Sequence, residues 1–203
     1  MPKYSIMLDV KERDAIVVGG GQVAYRKVVG LLQAGASVTV VSPNINEDMQ
    51  HLHVKNMIVW KEKVVEKMDI QEAFIVIAAT NDQHVNERIA SFIDKHQLIN
   101  VVDHPKVSNF HVPATLERGD LTISVATGGA SPILAKVIRD ELAERYSFEY
   151  EDYLTFLSIA REKVKKQHIT KQKKRELLQK IIHPHYRQSK QRQINFLQVL
   201  SDD

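Results

Sequence analysis

Gly19, Gly21 and Ala24 stand in the order Gly-x-Gly-x-x-Ala within the run AIVVGGGQVAYRK, residues 15–27. This is the dinucleotide fingerprint in its Gly/Ala form. The first glycine takes a turn that a side chain would block. The second lets the backbone approach a pyrophosphate, and Ala24 keeps the following helix close to the preceding strand. Gln22 and Val23 open that helix, whose N-terminus offers free N–H groups and a partial positive charge to phosphates. The competing reading is a tight turn with no ligand. The surroundings weigh against it. Ala15–Val18 is a short apolar strand run, and Val23, Ala24, Val28, Leu31 and Leu32 recur at helical spacing behind it. Gly35 stops the helix, and Ala36–Val41 reads as a second strand.

In an open α/β sheet, ligands sit beyond the carboxyl ends of the strands. Besides the glycine loop, Thr80-Asn81-Asp82 and Asp103-His104-Pro105 leave strands at that edge. A carboxylate at Asp103 can serve as general base, orient a substrate or simply cap a turn, and the residues leave these readings open. His104 is the neighbouring candidate base. The second strand runs into Ser42-Pro43 with no Asp or Glu for a ribose 2′-hydroxyl. No Arg or Lys follows closely for a 2′-phosphate. Ser42 or Asn44 could hydrogen-bond the ribose, so NAD and NADP both stay open. The nine histidines include His51/His53 and His183/His185, but neither pair has the i, i+4 spacing of a metal-binding helix, and no metal site is expected.

These residues need elements to hold them. Tyr4–Asp9, Met57–Trp60, Phe74–Ala79 and Leu98–Val102 read as further strands, with a short helix near Asn46–His53 and a longer one from Thr80-Asn81-Asp82 to about His96. Strands alternating with helices imply an α/β class with a mostly parallel, doubly wound sheet. After Pro113 the pattern changes. Leu121–Ala126 alternates like a strand with one exposed face. A turn, Thr127-Gly128-Gly129-Ala130-Ser131-Pro132, follows, with Ser131 as N-cap and Pro132 in the first helical turn. The helix to Tyr146 carries Ile133, Leu134, Val137, Ile138 and Leu142 on one face, and this unit is too small to bury its own core, so a second copy is expected to complete it. Helices near Tyr153–Val164, Lys171–Ile182 and Gln191–Leu200 complete the chain, the last two separated at His183-Pro184-His185.

Composition bounds the chemistry. The 203 residues include no cysteine, which excludes disulfides, thiolate metal sites and cysteine nucleophiles. The charged N-terminus does not read as a signal peptide, no apolar run approaches membrane-spanning length, and the expected location is cytoplasmic. Net charge is only +3. Basic residues gather between Arg161 and Arg192, either as a solvated face or as a surface for a polyanion. That stretch lacks the interleaved aromatics of single-strand binders, and no nucleic-acid partner is expected.

The runs VVGGGQVAYRK, AATND, VNE, NVVDHP, FHVPA and RGDLTISVATGGASP, then LAKVIRDEL, appear in that order. Together they resemble the precorrin-2 dehydrogenase family of the siroheme-synthase N-terminal type, over residues 1 to about 146. The resemblance implies a Rossmann-like NAD-binding domain (1–113), a small α+β dimerisation domain (114–146) and a C-terminal helical domain (147–203). It implies a homodimer that oxidises precorrin-2, a carboxylate-rich tetrapyrrole, to sirohydrochlorin with NAD. It puts the family's important aspartate on Asp103 and nucleotide-lining positions on Thr80, Asn81 and Asn100. Substrate binding is then expected at His104, Thr127, Gly128 and Ser131. Many relatives carry Ser-Thr-Gly-Gly where this chain has Ala126-Thr127-Gly128-Gly129, so no serine hydroxyl role carries over. The methyltransferase domain of fused relatives is not expected here. The alternatives are a bifunctional enzyme that also inserts Fe2+, and a nucleotide-sensing regulatory module.

Overall fold

The structure, a computed structural model, describes residues 3–102 and 104–200. Asp103 therefore lies outside the described residues. The chain divides into two compact units, residues 1–112 and 113–203.

The first unit is built in chain order from β1 (Asp14–Val18), α1 (Gln22–Gln33), β2 (Ser37–Val41), α2 (Glu47–Val54), β3 (Val59–Lys61), α3 (Lys67–Ile70), β4 (Ile75–Ala78), α4 (Gln83–Phe92) and β5 (Leu98–Val101). The strands form one sheet in the order β3-β2-β1-β4-β5, every pair parallel. Strand order reverses between β1 and β4, with Val18 opposite Val41 on one side and Ala78 on the other. This is the doubly wound, Rossmann-like arrangement, and the reversal opens a crevice at the carboxyl edge.

Alternation along β1 divides the core. Ala15 and Val17 face Ala24, Val28 and Met49 on one side, while Ile16 and Val18 face Ile70 and Ile89 on the other. With helices on both faces, the strands bury every second residue each way, hence the continuous apolar run of β4. The free edge of β5 is covered without a further strand. Asn109 accepts from the Ile99 N–H (2.8 Å) and donates to the Gln97 carbonyl (2.8 Å), and Ser108 Oγ accepts from the Val101 N–H (2.9 Å). These side chains satisfy edge groups that would otherwise invite pairing.

Two expectations fail in this unit. Tyr4–Asp9 forms no strand. β5 already has its free edge covered, and Tyr4 stands 92% exposed. The helix expected to reach His96 ends at Phe92, because Gln97 turns back to cap the loop and donates to the carbonyls of Ile70 (2.6 Å) and Ala73 (2.8 Å).

The second unit begins with an antiparallel hairpin, β6 (Ala114–Arg118) and β7 (Leu121–Val125). Its turn uses Gly119 at φ +55°. β6 was not read from the sequence, since its one buried apolar residue, Leu116, sits among polar neighbours. α5 (Pro132–Arg145) packs on the hairpin. Ser131 caps α5 through the Leu134 N–H at 3.1 Å, as expected. Its apolar face is only partly covered, with Ile138 and Leu142 half-buried. Ile133, Leu134 and Val137 are 76%, 50% and 46% exposed, and Ala135 is the buried residue. The remaining helices are α6 (Glu149–Lys166), α7 (Lys171–Lys180), α8 (Pro184–Arg187) and α9 (Lys190–Val199). They enclose Tyr153, Phe156, Tyr186 and Phe196.

Candidate functional site

A cleft of about 530 Å³ opens at the carboxyl edge of the sheet, between the ends of β1, β2 and β4. Its size falls in the range of small-molecule sites, and it lies at the reversal of strand order. Gly19, Gly21, Ser42, Pro43, Thr80 and Asn81 all line it. The sequence placed each of these on the cofactor.

The glycine loop is shaped by three different constraints. Gly19 has φ +128°, and a Cβ there would lie 2.4 Å from the Ala79 carbonyl oxygen. Gly20 abuts the β2–α2 loop, where a Cβ would lie 1.7 Å from the Asn44 carbonyl oxygen. Around Gly21 a Cβ would meet nothing within 4 Å. Gly20 occupies a variable position of the fingerprint, so sequence reasoning passed over it.

The N-terminus of α1 is bare. Its N-cap is Gly21, with no side-chain cap and no acid in the first turn. By contrast α2, α4 and α5 are capped by the side chains of Asn46, Asp82 and Ser131. The first-turn N–H groups of Gln22, Val23 and Ala24 have no carbonyl within the helix to bond. Ala24 itself is fully buried against β1, the close packing expected of it. A bare helix end facing an open cleft fits a pyrophosphate.

The other walls are held by internal hydrogen bonds. Ser42 Oγ donates to the Asn44 carbonyl at 2.7 Å, and the Ser42 carbonyl accepts from Trp60 Nε1 at 2.9 Å. The Ser42 hydroxyl proton therefore shapes the loop, and the Asn44 side chain beside it is exposed at the cleft. Val64 and Val65, which the sequence reading did not single out, form an apolar wall. Their loop is tied by Asp69, which accepts from the Glu66 N–H (2.9 Å) and pairs with Lys63 (3.1 Å) and Lys61 (3.3 Å). Burial alone would push the Asp69 carboxyl up, but these donors outweigh it and hold the carboxyl below its ordinary range. Asn100 is not a lining residue. It is buried in β5, its Nδ2 donating to the Phe110 carbonyl at 3.1 Å.

Comparison with known proteins agrees with this geometry. Residues 6–114 match the family described as "Putative NAD(P)-binding", residues 118–145 match "Sirohaem biosynthesis protein central", and residues 150–196 match "SirC C-terminal domain". The precorrin-2 dehydrogenase of Priestia megaterium is 38% identical over 97% of this chain and 98% of its own length. The chain belongs to the precorrin-2 dehydrogenase family. A solved structure titled "SirC, precorrin-2 dehydrogenase" superposes with a TM-score of 0.87 at 37% identity, covering 99% of this chain and all of that one. The siroheme synthase of Nitrosomonas europaea is 34% identical over 86% of this chain, which spans 37% of that relative's length.

In this member of the precorrin-2 dehydrogenase family, the remaining candidates are placed as follows. His104 follows β5, with its Nδ1 3.2 Å from Glu87 Oε1 on α4. That nitrogen is buried, and the contact lacks hydrogen-bond geometry. Thr127 and Ser131 brace their own turn. Thr127 Oγ1 donates to the Ser131 carbonyl (2.9 Å) and accepts from the Ser131 N–H (3.1 Å). Gly128 stands in that turn at φ +64° with open space beside it. Among the described residues, no group of three or more His, Asp or Glu side chains is placed to hold a metal ion.

Proposed function

We infer that the protein is an NAD-dependent precorrin-2 dehydrogenase, converting precorrin-2 to sirohydrochlorin. The observation that carries the cofactor is the bare N-terminus of α1, with Gly21 open to the cleft while neighbouring helices are capped by side chains. The family membership carries the substrate.

Oxidation of the macrocycle removes a hydride and a proton. NAD, when bound, accepts the hydride. The chain must orient the two reactants, exclude water and take the proton. Gly19, Gly21, Gln22, Val23 and Ala24 are assigned to the pyrophosphate end. Ser42 and Pro43 are assigned to the ribose, and Thr80 and Asn81 to the nicotinamide side of the cleft. Asp103 is assigned the proton. Support for that role is its place in the chain, one residue past Val102, whose N–H still donates to the Ala78 carbonyl at 3.1 Å. His104, Thr127, Gly128 and Ser131 are assigned to the substrate.

The substrate is rich in carboxylates, and the helical unit offers cations for them. Lys180 and Arg192 flank a groove of about 300 Å³ floored by Tyr186 and Phe196. Among the described residues neither cation has a carboxylate partner, whereas Lys165, Lys173 and Lys190 each do. Partial burial first, then the charges of His183, Arg192 and Lys180, push the nearby His185 imidazole down, a mark of positive potential.

A homodimer belongs to this reading, formed through the hairpin and α5. The exposed Ile133, Leu134 and Val137 support it, since a second copy would cover them. So does a cytoplasmic location. No described helix is long and apolar enough to cross a membrane. Incubation with precorrin-2 and NAD tests the function. Stoichiometric formation of reduced nicotinamide and sirohydrochlorin is expected. NAD binding without turnover would instead favour a nucleotide-sensing module.

A further inference from the structure

We propose that Asn86 is the positioning residue of the cofactor cleft, acting on NAD through Thr80. Asn86 lies in the first turns of α4 with its side chain fully buried, an unusual place for an amide unless it is bonded. Its Oδ1 accepts from the Thr80 N–H at 3.2 Å and from Thr80 Oγ1 at 2.7 Å. Its Nδ2 donates to the Thr80 carbonyl at 3.1 Å. One side chain thus engages the N–H, the carbonyl and the hydroxyl of a single residue.

The place where this happens gives it consequence. Sheet hydrogen bonding at the end of β4 stops with the Ala79 N–H, which donates to the Val18 carbonyl at 2.9 Å. Thr80 is the next residue, and Asn86 continues the restraint beyond the sheet. The Thr80 hydroxyl also accepts from the Asp82 N–H at 3.2 Å. The polar groups of Thr80 are therefore turned to the protein, so Thr80 serves the nicotinamide side of the cleft by holding its wall in place rather than by a hydrogen bond to the cofactor. It carries Asn81, whose exposed side chain has no hydrogen bond among the described residues, into the cleft wall. The same strand end also bounds the glycine loop, because Gly19 tolerates no Cβ beside the Ala79 carbonyl. A displaced Thr80 peptide would disturb both walls that face the dinucleotide. A site held this way loses affinity from shifts well under the size of an atom.

The proposal rests on NAD being the cofactor. The test is calorimetric titration of the full chain with NAD, together with steady-state kinetics, for the wild type, Asn86→Leu and Thr80→Val. Asn86→Leu keeps the branched skeleton of the side chain and removes every bond to Thr80. The expected result is a Kd and KM for NAD raised by about tenfold or more, with kcat at saturating NAD and KM for precorrin-2 within about threefold. A folded Asn86→Leu with wild-type NAD affinity would overturn the proposal. So would equal losses in both KM values and kcat accompanied by a lowered Tm, which is what a merely structural residue gives. Should Asn86→Leu fail to fold, Thr80→Val decides. Thr80 is half-buried, and its valine variant deletes the hydroxyl's bonds to Asn86 and Asp82 while keeping the two backbone bonds to Asn86. Weaker NAD binding with unchanged precorrin-2 KM supports the proposal, and unchanged binding overturns it. A wild-type chain that does not bind NAD would overturn the cofactor reading and this proposal with it.

Discussion

Gly20 and Asn44 approach so closely that a Cβ on the glycine would lie 1.7 Å from the asparagine's carbonyl oxygen. The Asn46 N–H closes the same junction, donating to the Gly20 carbonyl at 2.9 Å. The phosphate loop is thereby fastened to the loop after β2, where the ribose is assigned. Gly20→Ala must move backbone, not a flexible side-chain end. A loss of about 3 kcal/mol or more is expected, at the upper end of overpacking costs. Denaturant unfolding at neutral pH measures it, and a wild-type midpoint would show that the junction yields.

Gly21→Asp should behave in the opposite way. Gly21 has φ −90° and ψ −176°, which any residue adopts, and nothing lies within 4 Å of a Cβ there. Aspartate is a favoured N-cap, so α1 should be as stable as before or slightly more so. Its carboxylate would occupy the phosphate position. NAD affinity is expected to fall at least tenfold, about 1.4 kcal/mol, while Tm holds. Unchanged affinity by calorimetry would remove the fingerprint from the site.

Asp103→Asn preserves shape and removes the charge. The expected outcome is a fall of at least about 10²-fold in kcat/KM for precorrin-2, the lower end of general-base effects, with NAD affinity nearly unchanged. His104→Ala is the companion experiment, since its Nδ1 beside Glu87 marks it as the rival base. Near-normal turnover by Asp103→Asn with turnover abolished in His104→Ala would transfer the role to the histidine.

The Asp69 clamp predicts a pH dependence. Its carboxyl is held below the ordinary range in the folded chain, so the unfolded chain binds the proton more readily. Its stabilisation is complete above the ordinary carboxyl range, near pH 4, and disappears as pH falls through the depressed folded value. Asp69→Asn should lower stability at pH 7 by about 1 to 3 kcal/mol, the cost of losing charge-assisted bonds. Below about pH 3 the difference from wild type should shrink. An equal difference at both pH values would show that the charge is not what matters.

Val137→Asp, on the exposed face of α5, should give a folded monomer, against the dimer proposed for the wild type. Light scattering at micromolar concentration reads this directly. A monomeric wild type would end the dimer proposal and leave the exposed Ile133, Leu134 and Val137 without a partner.

The sequence by itself determined whatever depends on neighbours in the chain. The β1–α1–β2 unit was legible because strand alternation, a glycine turn and helical spacing all fall between Asp14 and Val41. The cap by Ser131 was legible for the same reason, as it bonds an N–H three residues on. Only the tertiary structure decided what depends on distant partners. Gly20 matters because of Asn44, and β5 ends the sheet because Ser108 and Asn109 cover its edge. Tyr4–Asp9 holds an apolar run that reads as a strand but pairs with none. Ile133, Leu134 and Val137 have helical spacing, yet spacing cannot say whether the covering surface belongs to the same chain. The Asn86–Thr80 clamp spans only six residues. It was still invisible, because an asparagine reads as a polar surface residue until the packing of α4 on the sheet buries it, and burial then obliges its amide to find partners.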